Sequence, residues 1–241
     1  MKAVFVVAVA LAVAGCSPGS GDQRAATMQE KHFDVTGWGG LKPGMSKKDA
    51  LATGELGATA AGKTGDCEDY RYQGAPAPDA KQLAEDAEIE QKYEAAKKVA
   101  DDADAAVGPA PGANAGAAAY AAHAEKLATA AEAGAKAVEL SAESTKRIAA
   151  RAEAREANGG VLFAGDKIRM IVPPPGATTA KNIGKGATVE QLKAAYPNAV
   201  DKDGKGFEVP VPDQQGTVLS FHFTDGKLTT FLLFNGEAKC S

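Results

Sequence analysis

Residues 79–157 hold 30 alanines in 79 positions, and within them Gly and Pro are nearly confined to Gly108-Pro109-Ala110-Pro111-Gly112. Alanine is the best intrinsic helix former and Gly and Pro the worst, so this stretch admits little other than two long helices broken at that point. Its start carries Asp79 with Gln82 three residues on, a capping-box pattern in which the Asp79 carboxylate accepts first-turn amides. The first helix is predicted to run to Val107, with Ile89, Tyr93, Ala96, Ala100, Ala103 and Val107 alternating steps of three and four along one heptad seam. The second is predicted to start near Asn114. Its seam is read at Tyr120, Ala124, Leu127, Ala131, Gly134, Val138, Ser141, Thr145 and Ile148, ending at Asn158-Gly159-Gly160. At about 1.5 Å per residue the helices reach roughly 43 and 66 Å, too long to lie on a small domain, so a projecting coiled-coil hairpin is expected.

Outside this stretch the pattern changes to strands and short helices. Val161 to Phe163 and Ile168 to Val172 read as two strands around Gly165-Asp166. Thr188 with Gln191 opens a short helix that Pro197 stops. Three strands follow, at 207–211, 217–223 and 228–234, the last two joined by Asp225-Gly226, the best hairpin turn in the sequence. The formal net charge of −4 leaves no basic excess to neutralise phosphates, which argues against a nucleic-acid partner. Helix one carries nine acids, Asp79 included, against four lysines, whereas helix two carries six of each, so the negative charge resides on helix one.

The N-terminus supplies an address. Met1-Lys2 precedes an apolar run to Ala14, then Gly15-Cys16, a secretory signal too short for the roughly 20 residues that span a bilayer. Val13-Ala14-Gly15-Cys16 resembles the lipobox of bacterial lipoproteins. That resemblance implies a diacylglyceryl thioether on Cys16, palmitate-type acylation, cleavage before Cys16, and anchoring at the outer face of the cytoplasmic membrane. With Cys16 lipidated, Cys67 and Cys240 remain as an even pair in an oxidising compartment, expected to form a disulfide, the alternative being two free thiols.

An internal repeat aligns residues 40–50 with 182–192. Both copies have an apolar residue (Leu41, Ile183), a glycine three on (Gly44, Gly186), then a Ser or Thr cap with Asp49 or Gln191 three residues later. The Trp38-to-Ser46 opening, Ala50-Leu51-Ala52-Thr53-Gly54, and the stretches Gly184 to Thr188 and Ala195-Tyr196-Pro197 resemble actinobacterial envelope proteins. Their repeats are similar to those of β-lactamase-inhibitory proteins and of the small lipoproteins of outer-membrane assembly. The resemblance covers roughly 33–76 and 160–240. It implies short helices over an antiparallel sheet and a binding function rather than catalysis; no inhibitor contact residue carries over. The expected fold class is therefore α+β, tandem repeats of short helices on an antiparallel sheet, interrupted by a long Ala-rich helical hairpin. The expected organisation is a signal peptide at 1–15, a flexible tether at 16–32, a first repeat at 33–78, the hairpin at 79–157, and hairpin strands with the second repeat at 158–241.

Four motifs suggest other chemistry. Gly57 to Thr64 matches the phosphate loop G-x-x-x-x-G-K-[ST], but neither a buried strand before it nor a helix after it is predicted, and it reads as a flexible loop without a nucleotide. Asp201-Lys202-Asp203-Gly204 imitates a calcium loop whose later ligand positions hold Lys205 and Pro212, and reads as a turn. His32, His123 and His222 have no paired metal spacing, and Ser220 with His222 lacks an acid for a triad. Asp66, Glu68 and Asp69 form an acidic cluster around Cys67, read as a solvated loop or a recognition loop. No catalytic, cofactor or metal residue is assigned. The chain is read as a lipid-anchored, non-catalytic binding or scaffold protein of the bacterial envelope, its partner a protein or the cell wall. The alternative is a proteinaceous inhibitor of an envelope or secreted enzyme.

Overall fold

The computed structural model describes residues 31–204 and 206–240. The lipobox, Cys16 and most of the expected tether lie outside the described residues. The described chain is α+β: four helices and one antiparallel eight-stranded sheet. In chain order these are α1 (Lys47–Ala52), β1 (Gly62–Thr64), β2 (Cys67–Tyr70), α2 (Ala80–Val107), α3 (Ala117–Asn158), β3 (Gly160–Ala164), β4 (Lys167–Val172), α4 (Val189–Ala195), β5 (Val200–Asp201), β6 (Gly206–Pro210), β7 (Thr217–Thr224) and β8 (Lys227–Asn235).

The sheet order β1-β2-β3-β4-β8-β7-β6-β5 is two four-stranded meanders joined back to back at β4 and β8. Each meander is preceded by its short helix, and equivalent residues make equivalent bonds. Gly44 N donates to Ile168 O at 3.3 Å and Ile168 N to Met45 O at 3.0 Å; in the second copy Gly186 N donates to Leu228 O and Leu228 N to Ala187 O, both at 2.8 Å. Both glycines sit at positive φ (71° and 89°), where a side chain would be strained. The caps repeat too: Ser46 Oγ accepts from Asp49 N, and Thr188 with Gln191 forms the full reciprocal box.

Ala50 of α1 and Leu192 of α4 join a single core with Leu41, Phe163, Ile168, Ile171, Leu219, Phe221 and Leu233 on one face of the sheet. Phe33 closes it, edge-on to Phe231 at 5.5 Å, while its N–H donates to Thr178 O and ties the first repeat to the second. The expected strands at 160–172 and 206–235 are all present, and Asp225 and Gly226 both take positive φ as a type I′ turn requires. Residues 160–172 complete the first meander, on the far side of the helical hairpin.

Of the stretch Gly57 to Thr64 read as a flexible loop before Cys67, the last three residues are instead strand β1, with Gly62, Lys63 and Thr64 paired to Asp69, Glu68 and Cys67. Its backbone groups are committed to a ladder and a strand follows it, so it lacks the geometry of a phosphate cradle. The second helix begins at Ala117 rather than Asn114; residues 108–116 run back along its first turns, where Tyr120 Oη donates to Gly112 O at 3.1 Å.

Candidate interaction surface

The hairpin leaves the sheet after β2 and returns at β3, two strands that pair directly (Tyr70 opposite Val161). α2 starts as its sequence dictates, with the Asp79 carboxylate accepting from Lys81 N and Gln82 N. At about 1.5 Å per residue, the 28 and 42 residues of α2 and α3 span roughly 42 and 63 Å. From residue 87 to 143 no position is buried, so the hairpin is an arm whose fixed part is its root.

The root is built from charge. Arg147, Arg151 and Arg155 stand one turn apart on α3, which places all three on one face. Asp86 of α2 is buried between two of them, its oxygens accepting from Arg147 Nη1 at 2.8 Å and Arg151 Nη1 at 2.7 Å. Arg151 also donates to Thr64 Oγ1 of β1, and Arg155 to Asp69 of β2. One turn further out, Ser144 Oγ donates to Glu90 at 3.0 Å. Gly62 leaves room beneath this layer, since a Cβ there would meet Arg151 Cδ at 2.3 Å and push the guanidinium from its place. Burial pushes the Asp69 carboxyl above its ordinary value, outweighing the Arg155 and Arg151 guanidiniums that draw it down. A network that costs this much desolvation contributes orientation more than net stability.

The expected acidic cluster is thereby dissolved. Strand alternation sends Asp69 to the hairpin face and Glu68 to the opposite one, where Lys47 of α1 (3.0 Å) and Lys63 (3.6 Å) pair with it and Tyr70 Oη donates to it. Burial pushes the Glu68 carboxyl up, but Lys47, Lys63 and the Tyr70 hydroxyl together hold it below its ordinary value. Neither residue belongs to a free recognition loop.

Cys67 is bonded to Cys240, with Cα atoms 5.4 Å apart at a sequence separation of 173. The tail that brings Cys240 back is clamped by Arg169, which donates to Ala238 O and stacks its guanidinium 5.1 Å from the Phe234 ring. Asp66 stands beside the two sulfurs. The other motif residues stay apart. His222 Nε2 lies 3.1 Å from Ser220 Oγ, while Glu208, across the ladder from Ser220, pairs with Lys202 at 3.2 Å. His123 is on α3, and Asp201 Oδ1 caps its own turn by accepting from Gly204 N at 2.9 Å. The cavities beside the root are about 30 and 50 Å³, room for about a water each. An open groove of 610 Å³ under the 178–187 loop is lined by Lys181, Lys185, Gln191 and small residues, with no His, Cys, Asp or Glu among them.

The seam of α2 falls where its sequence places it, at Ile89, Tyr93, Ala96, Ala100, Ala103 and Val107. That of α3 does not. The protected positions include Ala130, Ala133, Ala137, Leu140, Ser144, Arg147 and Arg151, rotated from the expected stripe, of which Gly134 and Ser141 are protected while Val138, Leu127, Tyr120 and Ile148 are left exposed. The reason is the root: satisfying Asp86 with two arginines fixes the rotation of α3, and small apolar side chains elsewhere on the seam have too little area to oppose it. The arginine ladder, spaced by four, opposite Glu85-Asp86 was the sequence signal for this packing. No protein-family model, curated protein or solved structure matches the chain, and no described helix is long and apolar enough to cross a membrane.

Proposed function

We propose that this is a lipid-anchored, non-catalytic binding or scaffold protein of the bacterial cell envelope. The lipid is carried on Cys16, the two-repeat domain is a mount, and the helical hairpin is the arm that reaches a protein partner or the cell wall. The observation that carries this reading is the arm itself, unburied from residue 87 to 143 yet rooted by a buried charge network. An insertion held in one orientation at its base and solvated along its length has the form of a presented surface.

The test is a crosslinking capture from the native envelope, comparing the full chain with a variant lacking residues 79–157. Because β2 and β3 are neighbours, residues 71–78 suffice to reconnect them. A specific protein or wall fragment held by the full chain and lost from the variant is expected. Equal capture by both would place binding on the repeat domain and favour the inhibitor reading.

A further inference from the structure

The smaller of the two cavities at the root, about 30 Å³, lies between the end of β2 and the end of α3. Its charged lining is unequal: Arg71, Arg151 and Arg155 stand against the single carboxylate of Asp69. Arg155 binds that carboxylate through Nη1, whereas Arg151 reaches it only at 3.9 Å, being committed to Asp86 and Thr64. Arg71 Nη1 donates to two backbone carbonyls, Pro76 O at 2.8 Å and Ala77 O at 3.3 Å, which carry no charge to offset its own. The acids of the adjoining 50 Å³ cavity are engaged elsewhere: Asp86 holds Arg147 as well as Arg151, and Asp79 caps α2. Two donors are left over. The Nε–H groups of Arg151 and Arg155 are buried and have no hydrogen-bond acceptor among the described residues. A guanidinium cannot shed its charge, so a buried Nε–H that the protein does not satisfy is relieved only by an acceptor from solution. A water molecule would accept the bond yet leave three guanidiniums against one carboxylate, whereas an anion answers both deficits.

We propose that this cavity is a binding site for one inorganic anion of chloride size, held between the Arg151 and Arg155 forks. Its 30 Å³ exceeds the roughly 10–15 Å³ that a single water needs, so it takes one atom larger than a water oxygen, and it is too small for a carboxylate or phosphate with its carrier. The anion ties together the two arginines through which α3 grips Thr64 of β1 and Asp69 of β2. Its effect is to stiffen the joint from which the arm projects, because charge-assisted bonds then engage the donors on both guanidiniums that the protein leaves over. The site requires neither the lipid nor the envelope partner proposed above.

The test is thermal unfolding of the full chain, followed by circular dichroism at constant ionic strength while sodium chloride replaces sodium gluconate. A saturable rise of about 3 °C in the midpoint is expected, as for any ligand that binds only the folded state. In Arg155→Lys, which keeps a cation for Asp69 but removes the fork, the rise is expected to shrink roughly threefold or more. Crystals of the unsubstituted chain grown with sodium bromide give the location independently of that variant's folding: an anomalous peak is expected between Arg151 and Arg155. Equal midpoints in the two salts, or a rise that grows without saturating, would reduce the effect to general screening and overturn the proposal. So would a rise undiminished in Arg155→Lys, or a cavity without a bromide peak.

Discussion

The β2–β3 and β6–β7 connections hold the same place in the two repeats. One is an 89-residue excursion and the other the six-residue loop 211–216. Around the short loop the strands are long, five residues in β6, eight in β7 and nine in β8, and aromatic rings lock them together: Phe207 edge-on to Phe223 at 5.7 Å, Phe221 stacked on Phe231 at 6.2 Å, Tyr196 against Phe221 at 5.4 Å. Around the long excursion β1 and β2 have three and four residues; Tyr70 sits edge-on to Phe163 at 5.4 Å across β2 and β3, and to this ring contact are added the Cys67–Cys240 bond, the Arg151 and Arg155 clamps, and the Lys47–Glu68 pair. The repeat closes unaided with a short loop. The copy that carries the arm replaces strand length with crosslinks, which resist the leverage of a long projection better than a few ladder bonds.

Breaking the largest crosslink tests that contrast most directly. In the chain-entropy model a link across 173 residues contributes about 5 kcal/mol. Cys240→Ser is expected to lower stability by about that amount, and amide exchange is expected to accelerate first in β1 and β2 while β6 to β8 stay protected. Exchange that quickens equally in both halves would show the eight strands to be one cooperative unit, and the contrast between repeats would fail.

A smaller effect is expected at the root. Asp86→Ala leaves Arg151 without its carboxylate in a largely buried place, a loss of about 3 kcal/mol by the measure of broken buried pairs. Limited proteolysis should then cut α2 and α3 faster while the repeat domain resists. The double variant Asp86→Leu with Arg151→Met should recover much of the lost melting temperature, since apolar replacement of a buried pair is often neutral. It should not restore the rotation of α3, which a spin-label distance between the two helices would read.

These contrasts mark what the residues revealed in advance. The hairpin, the repeat and the long strands were legible because alanine content, the Gly44/Gly186 caps and apolar alternation act locally. β1 was not, since Gly62-Lys63-Thr64 has no alternation to read and becomes a strand only because β2 and Arg151 meet it. The seam of α3 was misplaced for a related reason. Hydrophobic periodicity ranks Val138 and Ile148 above Ser144 and Arg147, but the packed face was decided by an aspartate 61 and 65 residues away in the chain. The separation of Glu68 from Asp69 follows from strand alternation, and became readable only once β2 was known to be a strand.

That last pair gives the finest test of the comparison, because adjacent carboxylates on opposite faces should respond to pH in opposite directions. Glu68 is held below its unfolded value near 4.5, so its contribution to stability is present above that pH and is lost as pH falls through the lower folded value. Asp69 is raised above 3.8, so its contribution is present below that pH and is lost as pH rises through the folded value. Glu68→Gln should flatten the acid side of the stability curve, by under about 1 kcal/mol for a partly exposed pair. Asp69→Asn should instead steepen the loss of stability towards acid, because the opposing carboxylate is gone. Denaturant titrations of both variants between pH 3 and 6 measure the two slopes. If both substitutions change the slope with the same sign, the two carboxylates share one environment, and the division of labour between the α1 face and the hairpin face does not hold.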